Sequence, residues 1–225
     1  MTAPVLGGAS LVRESLRAQV GDAVRAALVT GQMTPGEVYS APQLAERFGV
    51  SVTPVREALL ELVRDGLLVA VRNRGFRVVD PDPFELDAVG EVRLLLEPEA
   101  AALAAQRPAQ MRDAAAGALR AAARRVVEAA AAGDVADHVR ADRAFHAALL
   151  ELAGNPVLAE TVLRLRDRSR LYGNGAVARG TLEQAAAEHY ALLDLVAGGD
   201  AARAREAMTA HVRHVRREWS PGPSR

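Results

Sequence analysis

The stretch GVSVTPVREALLELVRDGLLVAVRNRGFRVV, residues 49–79, decides the fold of the first part of this chain. Thr53 before Pro54 is typical of a helix start, because threonine can cap the helix and proline at its first position loses no hydrogen bond. Apolar residues then recur at helical spacing and predict one buried stripe, formed by Val55, Leu59, Leu62 and Val63. Arg56, Leu60 and Arg64 lie off that stripe, so we expect an amphipathic helix with an arginine on its exposed face.

The segment after this helix predicts a hairpin. LLVAVRNRGFRVV alternates between apolar and other residues and is interrupted at Asn73 to Gly75, which indicates two strands joined by a turn. Upstream, we predict a helix over 11–30, a turn at MTPGEVYS and a short helix in APQLAERFGV that ends at Gly49. Helix, short helix, second helix and hairpin together form the layout of a winged helix-turn-helix domain.

This layout predicts a DNA-binding surface, because such domains insert the start of the third helix into the major groove and lay the wing on the backbone or minor groove. The predicted contacts are Ser51, Thr53 and Arg56 on the helix and Arg72, Arg74 and Arg77 on the wing. The alternative is a plain core helix with an exposed arginine. Bulk charge does not separate the two, since the chain has zero formal net charge and any basic face must arise from placement.

The remainder of the chain predicts an all-helical unit. Two prolines and three aspartates in VVDPDPFELD interrupt the pattern, and we assign 80–83 to a linker between domains at 11–79 and 84–219, with disordered tails at 1–10 and 220–225. Six helices follow, predicted over 84–106, 108–132, 135–153, 156–172, 181–197 and 201–219. The fold class is therefore mainly α, with an N-terminal winged helix-turn-helix and a C-terminal antiparallel bundle of about six helices.

Composition excludes several kinds of protein. The 225 residues include no cysteine, so disulfides and thiolate metal ligands are absent. No apolar run approaches the ~20 residues that span a bilayer, and the opening MTAPVLGGAS lacks the features of a signal peptide. We therefore expect a cytoplasmic protein without a membrane partner.

Several motifs carry a resemblance to a known family. The segment from PGEVYS to FRVV resembles the DNA-binding domain of the GntR family of bacterial transcriptional regulators, with GVSVTPVREAL and VRDGLL as its specific marks. EVRLLLEPEAAALAA, DRAFHAAL, AGNPVL and EHYALLDLVAGGDAARAREAM resemble the FCD-type effector domain of the FadR subgroup. The resemblance covers about residues 11–219. It implies a metabolite-responsive regulator, a repressor by expectation, that binds a palindromic double-stranded operator as a homodimer.

This chain departs from the family pattern at two positions. Many relatives have an arginine where this chain has Val52, so one expected base or phosphate contact is missing. Tyr39 stands where relatives often have leucine, which changes packing rather than recognition. The departure at Val52 therefore concerns which operator sequence is recognised rather than DNA binding itself.

RADRAFHAALL sets Asp142 and His146 four residues apart on one helix face, where they could hold one ion or bond each other. The resemblance implies a metal site formed by Asp142, His146, His189 and His211. Three imidazoles and a carboxylate suit a divalent transition metal, with Zn or Ni expected first. His214 and His138 are expected to be non-ligands, the latter on the exposed start of its helix.

Arg93 resembles the pocket arginine of the family and is expected to bind the carboxylate of a small effector. A salt bridge to Glu97, four residues later, is the alternative. We interpret the arginines at 164, 166, 168 and 170 as mostly a solvated face, with one member able to reach the pocket. Effector binding would change the placing of the two winged domains across the linker, so that operator spacing no longer fits.

Two other functions compete with the effector-responsive regulator. One is a metal-dependent hydrolase of a small carboxylate, which we disfavour because Glu188 lies about 100° around the helix from His189 and no further nucleophile motif appears. We therefore assign no catalytic residue. The other is a regulator in which the metal is purely structural.

Overall fold

The structure is a computed structural model that describes residues 15–80, 82–170 and 179–219. The predicted tails lie outside these residues. In chain order the elements are α1 (Leu16–Val29), β1 (Val38–Tyr39), α2 (Ala41–Phe48), α3 (Val52–Arg64), β2 (Leu68–Val71), β3 (Gly75–Val78), α4 (Pro83–Ala105), α5 (Ala109–Ala132), α6 (Val135–Ala153), α7 (Pro156–Arg170), α8 (Arg179–Gly198) and α9 (Ala201–Trp219).

The helix-turn-helix pair is formed by α2 and α3. The Ser40 hydroxyl caps α2 by accepting a hydrogen bond from the Gln43 amide, and Gly49 ends it in the left-handed conformation with φ of 66°. α3 begins at Val52 after an extended Ser51, so our prediction that Thr53 caps it was wrong by two residues. Pro54 at the third position is still tolerated, because the first four amides of a helix have no partner within it.

The wing is a three-stranded sheet in the order β1-β3-β2, not the two-stranded hairpin that we predicted. β1 lies within the segment assigned as a turn, and Tyr39 pairs with Phe76 on β3. A two-residue strand is too short to show alternation in the sequence. Gly75 fits this junction because its φ is +133° and a Cβ atom there would lie 2.4 Å from the Tyr39 carbonyl oxygen.

Each part of the fold has its own apolar core. In the winged part, α1, α3 and the sheet enclose residues such as Val24, Val55, Leu59 and Phe76. In the helical part, Phe145 of α6 lies in a separate buried cluster to which α4, α5, α7, α8 and α9 also contribute. α5 packs against α6 and α8, and α4 packs against α9. The predicted fold class is confirmed, and α1 packs against α6 where the two parts meet.

Candidate metal centre and nucleic-acid interface

Three helices bring the four predicted metal ligands together inside the helical part. α6 carries Asp142 and His146 one turn apart, α8 carries His189, and α9 carries His211. One ligand atom from each residue lies within 4.8 Å of the corresponding atoms of the others, and all four side chains are buried. Because these residues come from separate helices, a shared ion would also hold the helices together.

The nitrogen atoms of this cluster lie close to one another and to the Asp142 carboxylate. His146 Nε2 lies 3.8 Å from Asp142 Oδ1, which is longer than a hydrogen bond, so the alternative of a simple Asp142–His146 bond is not what the structure contains. Among the described residues, no hydrogen-bond partner meets His146 Nε2 or His211 Nε2, although both atoms are buried. His189 Nε2 lies 3.2 Å from Asp142 Oδ1. Buried acceptor nitrogens pointed at one another fit a cation between them.

Glu188 orients one of these imidazoles. Its two carboxylate oxygens lie 2.7 Å from His211 Nδ1 and 2.8 Å from His214 Nδ1. Since a carboxylate only accepts, both Nδ1 atoms carry the hydrogen, and the lone pair of neutral His211 is on Nε2, toward the cluster. His214 is buried beside the site rather than in it. This is the carboxylate–histidine arrangement that supports metal ligands in proteins.

Electrostatics keep the cluster in a ligating state. Burial lowers the pKa of His211 to about 4. Burial, together with the nearby charge of Arg166, holds the pKa of His146 well below its usual value. Burial alone would raise the pKa of Asp142, but Arg170 and Arg166 outweigh it and hold that pKa well below the ordinary range. Near neutral pH, both histidines are therefore neutral donors and Asp142 is an anion.

A buried network of arginines surrounds the carboxylate side of the cluster. Arg166 donates to Asp142 Oδ2 at 2.9 Å and to Glu97 Oε2 at 2.5 Å. Arg170 also binds Asp142 Oδ2, and Arg93 donates to Glu97 Oε1 at 2.5 Å. The arginines thus occupy Oδ2 of Asp142, and Oδ1 faces the histidines.

Two of our sequence interpretations fail in this region. Arg166 is only 3% exposed and Arg170 8%, so half of the predicted solvated face is buried against Asp142. His138 is 7% exposed, not on an exposed helix start, and its Nδ1 lies 3.4 Å from the Val126 carbonyl of α5. The α5–α6 contact covers this face of α6, which the helix boundary alone does not reveal.

Arg93 forms the salt bridge to Glu97 that we considered as the alternative to effector binding. Its guanidinium forms the ion pair with Glu97 and donates to Ser169 Oγ at 2.8 Å. Arg93, Glu97 and Ser169 are all buried. Glu97 links Arg93 to Arg166 and hence to Asp142.

The candidate DNA-binding face is a groove between α3 and the wing. It encloses about 610 Å³, and Val52, Arg56, Arg72 and Arg74 line it together. Both wing arginines are exposed on either side of Asn73, which has a positive φ of 58° at the turn.

The other three predicted contacts lie around this groove. Ser51 and Thr53 are exposed at the start of α3. Arg77 lies on the outer face of β3, opposite the buried Phe76, and its Nη1 is 3.3 Å from Asp80 Oδ2. The structure therefore brings three of the six predicted contacts into one groove and leaves three beside it.

Sequence reasoning missed Glu188, Arg166 and Arg170 as neighbours of the candidate metal centre. A signal existed for the arginines, because Val162, Arg166 and Arg170 recur at helical spacing and continue the buried stripe of α7. No comparable signal identified Glu188, since its role depends on where α9 lies beside α8.

A winged helix-turn-helix joined to an all-helical domain defines a class of protein, the DNA-binding transcriptional regulators. The chain belongs to the GntR family. Residues 16–78 match the profile of bacterial regulatory proteins of the gntR family, and residues 88–214 match the FCD domain. The chain is thus a GntR-type transcriptional regulator with an FCD domain.

Known relatives agree with this assignment. The HTH-type transcriptional regulator McbR of Escherichia coli is 30% identical over 161 residues, which are 71% of each chain. The probable D-xylose utilization operon transcriptional repressor of Paenarthrobacter nicotinovorans is 29% identical over 202 residues, 90% of this chain and 88% of that one. The solved structure of E. coli McbR/YncC has a TM-score of 0.71 at 27% identity and covers 88% of this chain and 94% of its own. These relatives are DNA-binding regulators, not enzymes. Among helices in the described part of this chain, none is long and apolar enough to cross a membrane.

Proposed function

We propose that this regulator is a repressor that binds a palindromic operator as a homodimer and leaves it when a small anionic effector binds beside a metal in the FCD domain. Operator recognition is assigned to α3 and the wing. The name of the Paenarthrobacter relative supports the sign of regulation. A protein that binds chromosomal DNA works in the cytoplasm, which is the location that we propose.

The observation that carries this proposal is the convergence of Asp142, His146, His189 and His211 within 4.8 Å. These residues would hold a divalent transition metal, with Zn or Ni preferred because three neutral imidazoles and one carboxylate suit both ions. Four protein ligands leave positions for carboxylate oxygens on an ion that accepts five or six ligands. The support of His211 by Glu188 favours a ligand role, since such second partners fix the tautomer of metal-binding histidines.

Charge favours an effector with more than one carboxylate. Arg93, Arg166 and Arg170 against Glu97, Asp142 and Glu188 give the cluster and its network no net charge, three positive minus three negative, with His146 and His211 neutral. A divalent ion would raise this to +2. Uncompensated positive charge is costly in a buried site, so a dicarboxylate or tricarboxylate would stabilise the loaded state more than a monocarboxylate. Arg93 could then exchange Glu97 for the effector.

A homodimer is supported by an apolar face of α4. Phe84, Val92, Leu95 and Leu103 are exposed, Leu95 by 72%, and helical geometry places them within about one quarter of the helix circumference. We propose that a second copy of this chain covers this stripe, because exposed apolar patches usually mark contact surfaces and two-fold operators need two reading domains. Leu95→Glu should lower the molar mass measured by light scattering from that of a dimer to that of a monomer. An unchanged dimer in this variant would move the interface elsewhere.

The deciding experiment is metal content by elemental analysis of the purified protein, His189→Ala and His138→Ala. His138 is a matched control, because it is also a buried histidine but faces α5. We expect about one ion per chain in the wild type and the control and none in His189→Ala. No metal in any of them after incubation with Zn or Ni would remove the metal from the proposal.

Operator binding then separates the remaining alternatives. With the metal-loaded protein, a panel of di- and tricarboxylates should include a compound that lowers operator affinity without being consumed. Turnover of such a compound would favour the hydrolase. Retained operator affinity with every compound that binds would leave the metal with a structural role only.

A further inference from the structure

A buried ion pair joins the winged part to the helical part. Arg25 of α1 donates from Nε to Asp167 Oδ2 of α7 at 2.8 Å, and the residue is only 7% exposed. Two further carboxylates surround the same guanidinium, Asp65 at 3.0 Å and Asp22 at 3.3 Å. Both belong to the winged part. Arg25 thus interacts with one carboxylate across the junction and two on its own side.

The partner of Arg25 is adjacent in sequence to the arginine that binds the metal ligand. Arg166 and Arg170 bind Asp142, and Asp167 between them binds Arg25. Arg168 pairs with Glu85 at the start of α4, and its side chain lies 3.5 Å from the position that a Cβ atom on Gly66 would take. One turn of α7 therefore contacts the metal cluster on one side and the winged part on the other.

We infer that α7 transmits occupancy of the metal cluster to the DNA-binding part, and that Arg25 and Asp167 are the positioning residues that dock the two parts. This inference rests on the proposed function, since it assigns the regulation of the same site. Within a helix, consecutive side chains point about 100° apart on one rigid backbone, so a shift that follows Arg166 also moves Asp167. An effector that draws Arg166 or Arg170 away from Asp142 moves α7 relative to α1.

The charges at the junction allow this contact to open. If the Arg25–Asp167 bond breaks, Arg25 retains Asp22 and Asp65, and Asp167 retains Arg143 of α6, whose Nε lies 3.2 Å away. Breaking a buried ion pair is costly mainly when it leaves a charge without a partner. Both members here have a second partner within their own part. The docked and released arrangements can therefore lie close in free energy, as a switch requires.

The test measures the distance between the two parts by spin labelling. The chain has no cysteine, so Glu46→Cys on α2 and Glu151→Cys on α6, both at exposed positions, give two unique label sites. Labelled protein is diluted with unlabelled protein so that only distances within one chain are observed. Distances are recorded for the wild type, Asp167→Asn and Asp22→Asn, each without metal and with zinc alone. Asp22→Asn is a matched control, because it removes a carboxylate from Arg25 and leaves the Arg25–Asp167 ion pair itself in place.

We expect a narrow distance distribution in the metal-free wild type and in Asp22→Asn, and a broad one in Asp167→Asn. Zinc should shift the first two distributions and leave that of Asp167→Asn unchanged, while all three proteins still bind about one zinc ion per chain. Arg25→Gln removes the other partner of the ion pair and should give the same broad distribution as Asp167→Asn. Agreement between the two variants would show that the broad distribution does not come from a local folding defect at Asp167. An equally narrow distribution in both junction variants, or a zinc response that survives in them, would overturn the inference. If zinc binds no form, the proposed metal site fails, but the metal-free comparison still decides whether the junction docks the two parts.

Discussion

Replacing Glu188 with glutamine should weaken metal binding although Glu188 is not itself a ligand. Its carboxylate accepts from His211 at 2.7 Å and from His214 at 2.8 Å. Glutamine has one acceptor oxygen and one amide group that only donates, so it cannot accept from both rings. The histidine facing the amide nitrogen must move its hydrogen to Nε2, and in that tautomer His211 cannot bind a metal.

The size of this effect follows from the contacts that are lost. A charge-assisted hydrogen bond becomes a neutral one of about half the strength, and part of the population adopts the wrong tautomer. We expect an affinity loss of about 10- to 100-fold, the range found for such supporting carboxylates. This corresponds to about 1.4–2.8 kcal/mol.

The assay is competition with a chromophoric chelator for zinc, with histidine tautomers followed in parallel by nitrogen NMR. Glu99→Gln is the control, because Glu99 is exposed and pairs with Arg205 at 2.6 Å, outside the metal cluster. It removes the same charge without touching a ligand. Equal zinc affinity in Glu188→Gln and Glu99→Gln, together with an unchanged His211 tautomer, would refute the reasoning.

Three further predictions concern stability and DNA binding. The pKa of His211 is about 6.5 in the unfolded chain and about 4 in the folded one, so only the unfolded state gains the proton between these values. As pH falls from 6.5 to 4, the free energy of unfolding of the metal-free protein should therefore decrease by about 3 kcal/mol because of this residue, as measured by urea unfolding. A loss confined to pH above 6.5 would contradict this. Arg56→Ala should cost on the order of 1–3 kcal/mol of operator binding by fluorescence anisotropy, while Arg64→Ala, exposed at the far end of α3, should not. Val52→Arg should change the base preferred at one operator position toward guanine in a random-sequence selection, and an identical preference would place residue 52 outside the reading face.

Periodicity and punctuation predicted that the helices exist but not every boundary, since α1 begins at Leu16 rather than at residue 11 and α3 begins two residues before Pro54. α6 and α9 begin and end at the residues that the sequence indicates, because Asp134 and Asp200 cap positions after glycines and tertiary packing does not alter such local signals. β1 escaped prediction because its two residues form a strand only by pairing with β3. A local sequence pattern thus predicts elements that are held by local hydrogen bonds. It does not predict an element such as β1, whose pairing strand lies far along the chain.

The residues of the candidate metal centre also divide into those with a local sequence signal and those without one. The i,i+4 spacing of Asp142 and His146 is a local signal, while His189 and His211 were assigned through the family resemblance. The burial of Arg166 and Arg170 depends on α7 lying across α6, which charge alone argues against. A buried arginine looks like a solvated one in sequence until its carboxylate partner is known.

The two roles that we propose for Asp142, in metal binding and in regulation, both follow from its position between histidines and arginines. Its Oδ2 is bound by Arg166 and Arg170, and the positive charge that holds its pKa low also withdraws electron density from Oδ1. An anion that neutralises either arginine would make Oδ1 a better donor and would remove positive charge that repels a cation. Metal and anionic effector should therefore strengthen each other's binding, and by linkage the coupling is equal in both directions. The same arginines flank Asp167 on α7. We therefore expect that an anion which binds either arginine and strengthens metal binding also shifts Asp167 relative to Arg25.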